Sequence, residues 1–417
     1  MPSLNKIRSV LAGQDHTTSP VPLRRLRIAL TAFFALDGFV FAGWVVRIPA
    51  VKEQVGASAG ALGLALLGVS AGALGTMIPS GWLCRRFGAA PVTIATAVVL
   101  SLSVALPPMT HSPLALGLVL LLLGVGFGGM NVAMNSLAVD LVASLRRPIM
   151  PGFHAAYSLG GLVGAGVGGP LAAHLTPSQH LLGVAAFGSA ATAFLGRALL
   201  AHPLVRPADG PADEADAAGN GAGDTDGAGW SRARTRWLVA VFGLIALCTA
   251  YGEGALAEWG PLHLQDDLHT GPALAAAGYA AVALAMTVGR LSGTALLMRL
   301  GPTRAVVLGG LTACAGMLVA ALAPAVWLVL AGFALTGLGL ANIFPVAIAR
   351  AGALGGPSGV ATASTLGYGG FLLGPPAIGF LTDASGLPVA LTTVAVLAAT
   401  AAMIAGAARR LAGSDGN

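Results

Sequence analysis

Four ionisable side chains lie within long apolar stretches of the sequence, namely Asp37, Glu253, Glu258 and Arg290. A charged side chain at the centre of a lipid bilayer costs about 2.5 to 3.5 kcal/mol on insertion scales, so such residues are rare there and usually functional. Carboxyl groups in that setting can bind a proton or a polar solute. The positions therefore predict a site inside a membrane, with Asp37 as its leading candidate.

Aromatic residues follow Asp37 on the same helical face. Phe41 and Trp44 come four and seven positions later, so in an α-helix all three side chains lie on one side. A carboxyl group in a cavity lined by aromatic side chains can take up a proton in one state of the protein and release it in another, or it can contact a solute. A structural salt bridge, with Arg290 as the partner, is the alternative.

The other charged candidates have less central positions. Glu253 and Glu258 are five residues apart, so the two side chains cannot face one point. We assign Glu253 to a central cavity or to an ion pair, Glu258 to an outer rim or gate, and the adjacent Trp259 to an interfacial anchor. Arg290 needs an acidic partner or an anionic solute.

Uncharged polar residues extend the candidate site. Asn131 and Asn135 are one helical turn apart, so they could hydrogen-bond one solute or, alternatively, neighbouring helices. Asn342 and Tyr368 are further candidates for solute contact. His154 is either a proton relay or a hydrogen-bond partner for an adjacent helix.

Membrane-spanning helices must carry these residues. The chain of 417 residues is 56% hydrophobic and 9% charged, with a mean hydropathy of +0.82, whereas about a quarter of residues are charged in soluble domains. A span needs about 20 apolar residues. The predicted helices cover residues 27–48, 60–83, 91–106, 113–139, 152–175, 181–200, 237–259, 273–297, 304–323, 325–348, 358–381 and 388–408. The predicted fold is an all-α polytopic membrane protein with twelve transmembrane helices in two pseudo-symmetric six-helix bundles.

A polar stretch at 201–236 divides the chain. It is rich in Gly, Ala, Pro and Asp and is typical of a disordered linker. The predicted organisation is a tail at 1–26, bundles at 27–200 and 237–408, and a tail at 409–417. Most of the 22 Lys and Arg residues lie in the tails and alternate loops. The positive-inside rule then places both termini and the linker in the cytoplasm, with Asp140, Arg146 and Arg147 as an ion-pair cluster at the inner surface.

An internal repeat relates the two halves. One shift along the chain superimposes Arg-Phe-Gly at 86–88 on Arg-Leu-Gly at 299–301, and Gly-Val-Gly at 124–126 on Gly-Leu-Gly at 337–339. Two similar halves joined by a cytoplasmic linker are typical of a rocking transporter with its site between the halves.

Glycine spacings in the apolar stretches resemble a cofactor motif. The segments 124–129 and 164–169 match G-x-G-x-x-G, but neither follows a predicted strand, so we interpret their glycines, and the series Gly160, Gly164 and Gly168, as helix-packing contacts. The sequence has no metal-ligand spacing and no phosphate-binding lysine after a glycine loop. We therefore expect no cofactor, no metal, no nucleic-acid partner and no enzymatic activity.

Several strings together resemble the major facilitator superfamily over nearly the whole chain. The strings are Pro-Gly-Phe-His at 151–154, Ser-Leu-Gly-Gly at 158–161, Gly-Leu-Gly-Leu-Ala-Asn at 337–342, Gly-Tyr at 367–368 and Gly-Pro-Pro at 374–376. Within that superfamily the chain resembles the YbjJ-like subgroup, which is distantly similar to fucose permease. The resemblance implies alternating access and a central cavity lined by the first, fourth, seventh and tenth helices.

One position departs from the superfamily pattern. The loop between the second and third helices usually carries an Asp between two glycines. Gly81, Gly88 and Arg86 keep the spacing, but Arg85 stands where the acid belongs, and Met298 stands there in the second half. A cytoplasmic latch that depends on this carboxylate is therefore in doubt.

The predicted function is secondary active transport of a small organic solute across the cell membrane, coupled to protons through Asp37 or Glu253. Uptake of a polar metabolite and export of a metabolite or antibiotic by proton antiport are both open. The alternative from another class is a membrane sensor that keeps the scaffold without transport. The support for this alternative is that both halves lack the acidic residue of the superfamily loop pattern. The expected partners are the solute, protons and membrane lipid, and we expect a monomer.

Overall fold

The chain folds into long helices joined by short turns in this computed structural model, which describes residues 20–145, 149–201 and 232–413 and shows no β-strand among them. The first half contains α1 (Pro20–Val45), α2 (Ile48–Gln54), α3 (Ala59–Phe87), α4 (Ala89–Ser103), α5 (Pro113–Leu145), α6 (Met150–Ala172) and α7 (Pro177–Leu200). The second half contains α8 (Arg232–Leu262), α9 (Pro272–Leu300), α10 (Pro302–Leu322), α11 (Val326–Leu340), α12 (Ile343–Ser385) and α13 (Leu387–Gly413). A 3₁₀ turn at Pro107–Met109 precedes α5, and a π-helical turn at His263–Asp267 follows α8.

Ten helical segments of the described chain are long and apolar enough to cross a membrane. Two further segments have the length of a span but are not among the ten. They are the glycine-rich α6 and the part of α12 after Gly356, whose backbone at φ 58° interrupts the helix. The prediction of an all-helical membrane protein is therefore confirmed, and the number of twelve spans stays a prediction.

The two halves repeat one packing pattern. In the first half α1 packs on α6 and α7, α3 packs on α5, and α4 packs on α5 and α7. In the second half α8 packs on α12 and α13, α9 packs on α11, and α10 packs on α11 and α13. The halves meet along α3 with α12 and α6 with α9. This recurrence is what a duplicated sequence predicts.

The repeated triplets end equivalent helices in the same way. Gly88 ends α3 with φ 91°, and Gly301 ends α9 with φ 74°. Each glycine N–H donates to the carbonyl four residues back, in Cys84 and Leu297 respectively. Positive φ favours glycine, so the shared glycine fits a shared turn.

Small residues allow α1 and α6 to approach closely. Gly38 lies against the carbonyl of Tyr157, and Gly160 lies against the carbonyl of Ala35. A side-chain carbon at Gly164 would lie 2.7 Å from the carbonyl oxygen of Phe39. The glycines thus allow α1, which carries Asp37, to pack closely against α6 of the same half.

Several predicted boundaries are wrong by a few residues. Helix α1 begins at Pro20 rather than after the predicted tail at 1–26, and α13 continues to Gly413 into the predicted tail at 409–417. Helix α8 begins at Arg232, so the last five residues of the predicted linker at 201–236 are helical. Arginine and alanine are good helix formers, so the helix continues past the apolar stretch. The rest of the linker, at 202–231, lies outside the described residues.

Candidate functional site

A cavity of about 630 Å³ lies between the two halves toward one end of the helices. Residues of α3, α5, α6 and α12 line it, namely Met77, Asn131, Val132, Asn135, Ser136, Val139, Asp140, His154 and Tyr368. The structure thus brings five of the predicted site residues together in one cavity. Arg146 and Arg147, the predicted partners of Asp140, lie outside the described residues.

The two asparagines of α5 form one polar unit on the cavity wall. Nδ2 of Asn135 donates to the backbone carbonyl of Asn131 at 2.8 Å and to its side-chain oxygen at 3.3 Å. The spacing of one turn places both on one face and also lets them bond to each other. Their amides and the nearby hydroxyl of Ser136 offer donors and acceptors to a polar solute.

Asp37 is fully buried in the centre of α1. Its relative exposure is 0%, and neither carboxyl oxygen has a hydrogen-bond partner among the described residues. The carboxyl group lies within electrostatic range of the phenols of Tyr157 and Tyr279, which belong to α6 and α9. An unpaired carboxyl group in such a place is tolerated when it carries its proton, because burial of an unpaired charge is costly.

Arg290 joins three helices at the level of Asp37. Its Nη2 lies 3.3 Å from Oε2 of Glu253 in α8, and its Nη1 donates to Oγ of Ser158 in α6 at 3.1 Å. The side chains of Arg290 and Glu253 are 21% and 18% exposed. The sequence analysis offered Asp37 as the partner of Arg290, but the guanidinium pairs with Glu253 because it points toward α8 and α6.

These charged groups belong to one cluster around Tyr157. Asp37, Glu253, Arg290 and Tyr279 all interact electrostatically with its phenol. The cluster includes groups from both halves, since α1 and α6 belong to the first and α8 and α9 to the second. Opening or closing the interface between the halves therefore changes the surroundings of every charge in it.

Sequence reasoning missed three members of this cluster, Tyr157, Ser158 and Tyr279. The sequence feature that could have indicated the two tyrosines is their rarity, because the chain has only four tyrosines. Three of the four, at 157, 279 and 368, lie in the cluster or the cavity wall. Tyr157 and Ser158 also lie three and four residues after His154 in α6, about one helical turn away.

Aromatic rings surround the site on the side of α1. Phe41 packs on Phe127 with ring centroids 5.2 Å apart, and Phe127 lies 6.5 Å from Tyr157. Trp44, the third residue on the face of Asp37, is 0% exposed, and its indole N–H lacks a partner among the described residues. Trp44 is thus buried within the bundle and does not line the cavity, and its sequence-based assignment to solute binding, on the face of Asp37, stays a prediction.

Three other candidates are not part of the cavity wall. Glu258 is 5% exposed and Trp259 is 1% exposed, so both lie within the bundle. An outer-rim position for Glu258 and an interfacial position for Trp259 do not fit this burial, whereas the role of Glu258 as a gate residue stays a prediction. Nδ2 of Asn342 donates to the carbonyl of Gly289 at 2.8 Å, so Asn342 fixes the junction of α11 and α12 against α9.

Arg47 is a buried arginine between α1 and α2. It is 3% exposed, and its Nε donates to Nδ1 of His180 at 2.9 Å. Its other nitrogens donate to the carbonyls of Ala172 and Leu175 at 3.3 and 2.9 Å. The guanidinium thus satisfies carbonyls at the end of α6, where the helix itself provides no donors.

The described residues contain no group of three or more His, Cys, Asp or Glu side chains that could hold a metal ion. The candidate site instead consists of a solute-sized cavity and the cluster around Tyr157, whose members Arg290 and Glu253 interact electrostatically with His154 and Tyr368, respectively, on the cavity wall. Such an arrangement can bind a polar molecule and exchange a proton, and it provides no nucleophile paired with a base.

The sequence of the chain matches the Major Facilitator Superfamily over residues 28–324. An uncharacterised transporter of this type from Yersinia pestis is 31% identical over 404 residues, which cover 96% of this chain and all of that protein. The membrane protein MosC from Rhizobium meliloti is also 31% identical, over 92% of this chain and 90% of its own length.

Solved structures share the fold at low sequence identity. A bacterial homologue of the human lysosomal transporter Spinster, in an inward-facing and unoccupied conformation, gives a TM-score of 0.73 at 16% identity and covers 94% of this chain and 98% of that one. The nucleoside transporter NupG gives a TM-score of 0.66 at 15% identity over 92% of this chain and 98% of that one. The chain therefore belongs to the major facilitator superfamily and is a multi-pass membrane transporter of a solute.

Proposed function

We propose that the protein is a proton-coupled secondary active transporter of a small polar organic solute that works by alternating access. The observation that carries the proposal is the carboxyl group of Asp37, which is fully buried and has no hydrogen-bond partner among the described residues. It belongs to the cluster around Tyr157, and two other members of that cluster, Arg290 and Glu253, interact electrostatically with His154 and Tyr368, respectively, on the cavity wall. A group that must be protonated in one state and can meet water in another is suited to carry a proton across.

The cavity favours an uncharged polar solute over an organic anion. Amides, a hydroxyl, an imidazole, a phenol and the carboxyl group of Asp140 line it. Arg290, which interacts electrostatically with His154 on the cavity wall, already holds Glu253 and Ser158. An anion would have to compete with that pair for the guanidinium, whereas a polar solute can bond to Asn131 and Asn135 directly.

The proposed topology has twelve spans and both termini in the cytoplasm, with the protein acting as a monomer in the cell membrane. Helix α6 and the second part of α12 supply the two spans beyond the ten apolar ones. The basic loop with Arg85 and Arg86 lies at the end of α3 nearer the cavity, and by the positive-inside rule that end faces the cytoplasm. The structure then corresponds to an inward-open state.

Import and export remain alternatives within this proposal, and the YbjJ-like resemblance selects neither. A sensor without transport is the alternative from a different class. The cavity between the halves supports transport, since a sealed scaffold has no need of a solute-sized space. Residue types that bind a polar solute support metabolite transport over antibiotic export.

The first experiment identifies the solute and the coupling. A metabolite and antibiotic panel on cells with and without the protein provides a substrate, which is then followed in proteoliposomes. Accumulation with an alkaline lumen and acidic bath indicates symport, because protons and solute enter together. Accumulation with an acidic lumen and alkaline bath indicates antiport. Flux that ignores both gradients would refute proton coupling, and binding without flux would favour the sensor.

Asp37→Asn tests the assigned carrier. We expect gradient-driven accumulation to fall at least tenfold while counterflow exchange persists, because exchange needs alternation but no net proton movement. Glu53→Gln, at an exposed acid of α2, is the matched control and should behave as wild type. Wild-type accumulation by Asp37→Asn would remove Asp37 from the role and leave Glu253 as the remaining candidate.

A further inference from the structure

Helices α3 and α12, which belong to different halves, touch closely over one part of their length. A side-chain carbon at Gly60 would lie 2.6 Å from Oδ2 of Asp383, and Oγ of Ser70 donates to the carbonyl of Phe371 at 2.8 Å. Further along the same pair, Met77 of α3 and Tyr368 of α12 line the cavity. The contact between α3 and α12, which we call the seam, is therefore closed from Gly60 to Ser70. Beyond Ser70 the two helices separate.

We call the end formed by α2, the first turn of α3, the last turn of α12 and the π-helical turn the closed end. There Asp383 makes three hydrogen bonds to the other half. Its Oδ1 accepts from the N–H of Ala59 at 3.0 Å, and its Oδ2 accepts from the N–H of Gly60 at 2.8 Å and from Oγ of Ser58 at 3.1 Å.

The carboxylate of Asp383, a residue of α12, thus caps the N-terminus of α3. The first N–H groups of a helix have no partner inside that helix, and a negative charge near them is favourable. Ser58 caps the next N–H of α3, that of Ala61, at 3.2 Å. Separation of the halves at this end would leave the N–H groups of Ala59 and Gly60 to water.

A second contact joins the halves at the closed end. Nζ of Lys52 in α2 lies 2.6 Å from Oδ2 of Asp266 in the π-helical turn, with side chains 25% and 40% exposed. Exposed ion pairs of this kind contribute little, whereas a helix cap contributes more. Asp383 is therefore the stronger of the two ties.

The opposite end of α3 lacks the corresponding acid, since Arg85 occupies the position where the superfamily pattern has one. We propose that Asp383 is the conformational latch of this transporter: its carboxylate holds the closed end shut by capping α3, and it must release α3 for the cavity to open there. The proposal rests on alternating access and adds the residue that sets the balance between the two states.

The test measures the distance between the halves without a substrate. Spin labels are placed at Glu53→Cys and Gly271→Cys, two exposed positions on opposite sides of the seam, in a background without Cys84, Cys248 and Cys314. Pulsed electron resonance in lipid nanodiscs then gives the ratio of long to short distances. A second pair within the first half, at Glu53→Cys and His174→Cys, reports whether the bundle itself stays folded.

We expect Asp383→Ala to raise the ratio of long to short distances about fivefold, the effect of losing one helix cap. Asp383→Asn should have a smaller effect, because asparagine keeps an acceptor oxygen and caps helices well. Lys52→Ala should also have a smaller effect. The control is Ser385→Ala, in the same turn of α12, whose hydroxyl donates only within its own helix to Leu381.

An unchanged ratio in Asp383→Ala, with the pair inside the first half intact, overturns the latch and leaves the proposed transport untouched. An effect of Ser385→Ala equal to that of Asp383→Ala also overturns it, since the response would then reflect any change at this helix end. A shifted ratio together with absent solute flux would support the latch and count against the proposed function.

Discussion

Replacement of Arg290 by methionine tests the ion pair at the centre of the site. The substitution keeps an unbranched side chain of similar length and removes the guanidinium. It leaves the carboxylate of Glu253 without its cation at 3.3 Å and the hydroxyl of Ser158 without its donor at 3.1 Å. The structure therefore predicts a loss of stability that arises mainly at Glu253.

The magnitude follows from burial. Removal of one partner from a buried ion pair costs about 3 to 5 kcal/mol, because the remaining charge is left uncompensated. Both side chains are about one fifth exposed, so we expect the lower limit, about 3 kcal/mol. Glu253→Gln should cost about 2 kcal/mol, since a buried group loses a charged hydrogen bond. The double variant should cost about 3 kcal/mol rather than their sum, which gives a coupling energy of about 2 kcal/mol.

The assay is equilibrium unfolding in mixed micelles with a denaturing detergent, followed by the fluorescence of the six tryptophans. Arg299→Met is the control, because Arg299 lies exposed in the last turn of the same helix and should change stability by less than about 0.5 kcal/mol. Additive costs in the double variant would refute the ion pair. A double-mutant cycle that gives a coupling energy between Arg290 and Asp37, and none between Arg290 and Glu253, would refute Glu253 as the partner of Arg290.

Two further substitutions test the packing that positions the site. Gly164→Ala should destabilise the fold by about 1 to 3 kcal/mol, because its new carbon would meet the α1 backbone at 2.7 Å, whereas Gly166→Ala, with open space around it, should be neutral or slightly stabilising. Arg47→Leu should cost about 2 to 4 kcal/mol, because it leaves His180 and the carbonyls of Ala172 and Leu175 without this donor. The exposed Arg304→Leu serves as its control, and both pairs are compared in the same unfolding assay.

The helices and the charged candidates could be predicted from sequence for the same physical reason. Spans must be apolar over their whole length, so both a polar interval and a single buried charge stand out against that background. Asp37, Glu253 and Arg290 stand out in this way, and the structure brings them into one cluster around Tyr157. Helix ends were less certain, because α8 begins with Arg232 outside the apolar stretch, and helix formation there does not depend on apolarity.

The partner of each charge could not be predicted, because it depends on rotation and depth of helices from different halves. Arg290 had two acidic candidates, and only the packing of α9 against α6 and α8 directs it to Glu253. The role of Asp383 was hidden for another reason. In the sequence, an acidic residue near the end of a span cannot be told apart from other surface residues. Only the structure shows that the first turn of α3 lies beside Asp383.

Burial suits two carboxyl groups to the opposite roles that we propose for them in alternating access. Asp383 is exposed, so water can replace its bonds to α3 when the halves separate, and the latch can open and close at small net cost. Asp37 is fully buried, so it meets water only when the cavity reaches it, and otherwise it holds a proton rather than a charge. A transporter needs both states to differ by only a few kcal/mol. The proposed latch in water satisfies that condition, and the proposed carrier in the core would couple the movement of the proton to the conformational change.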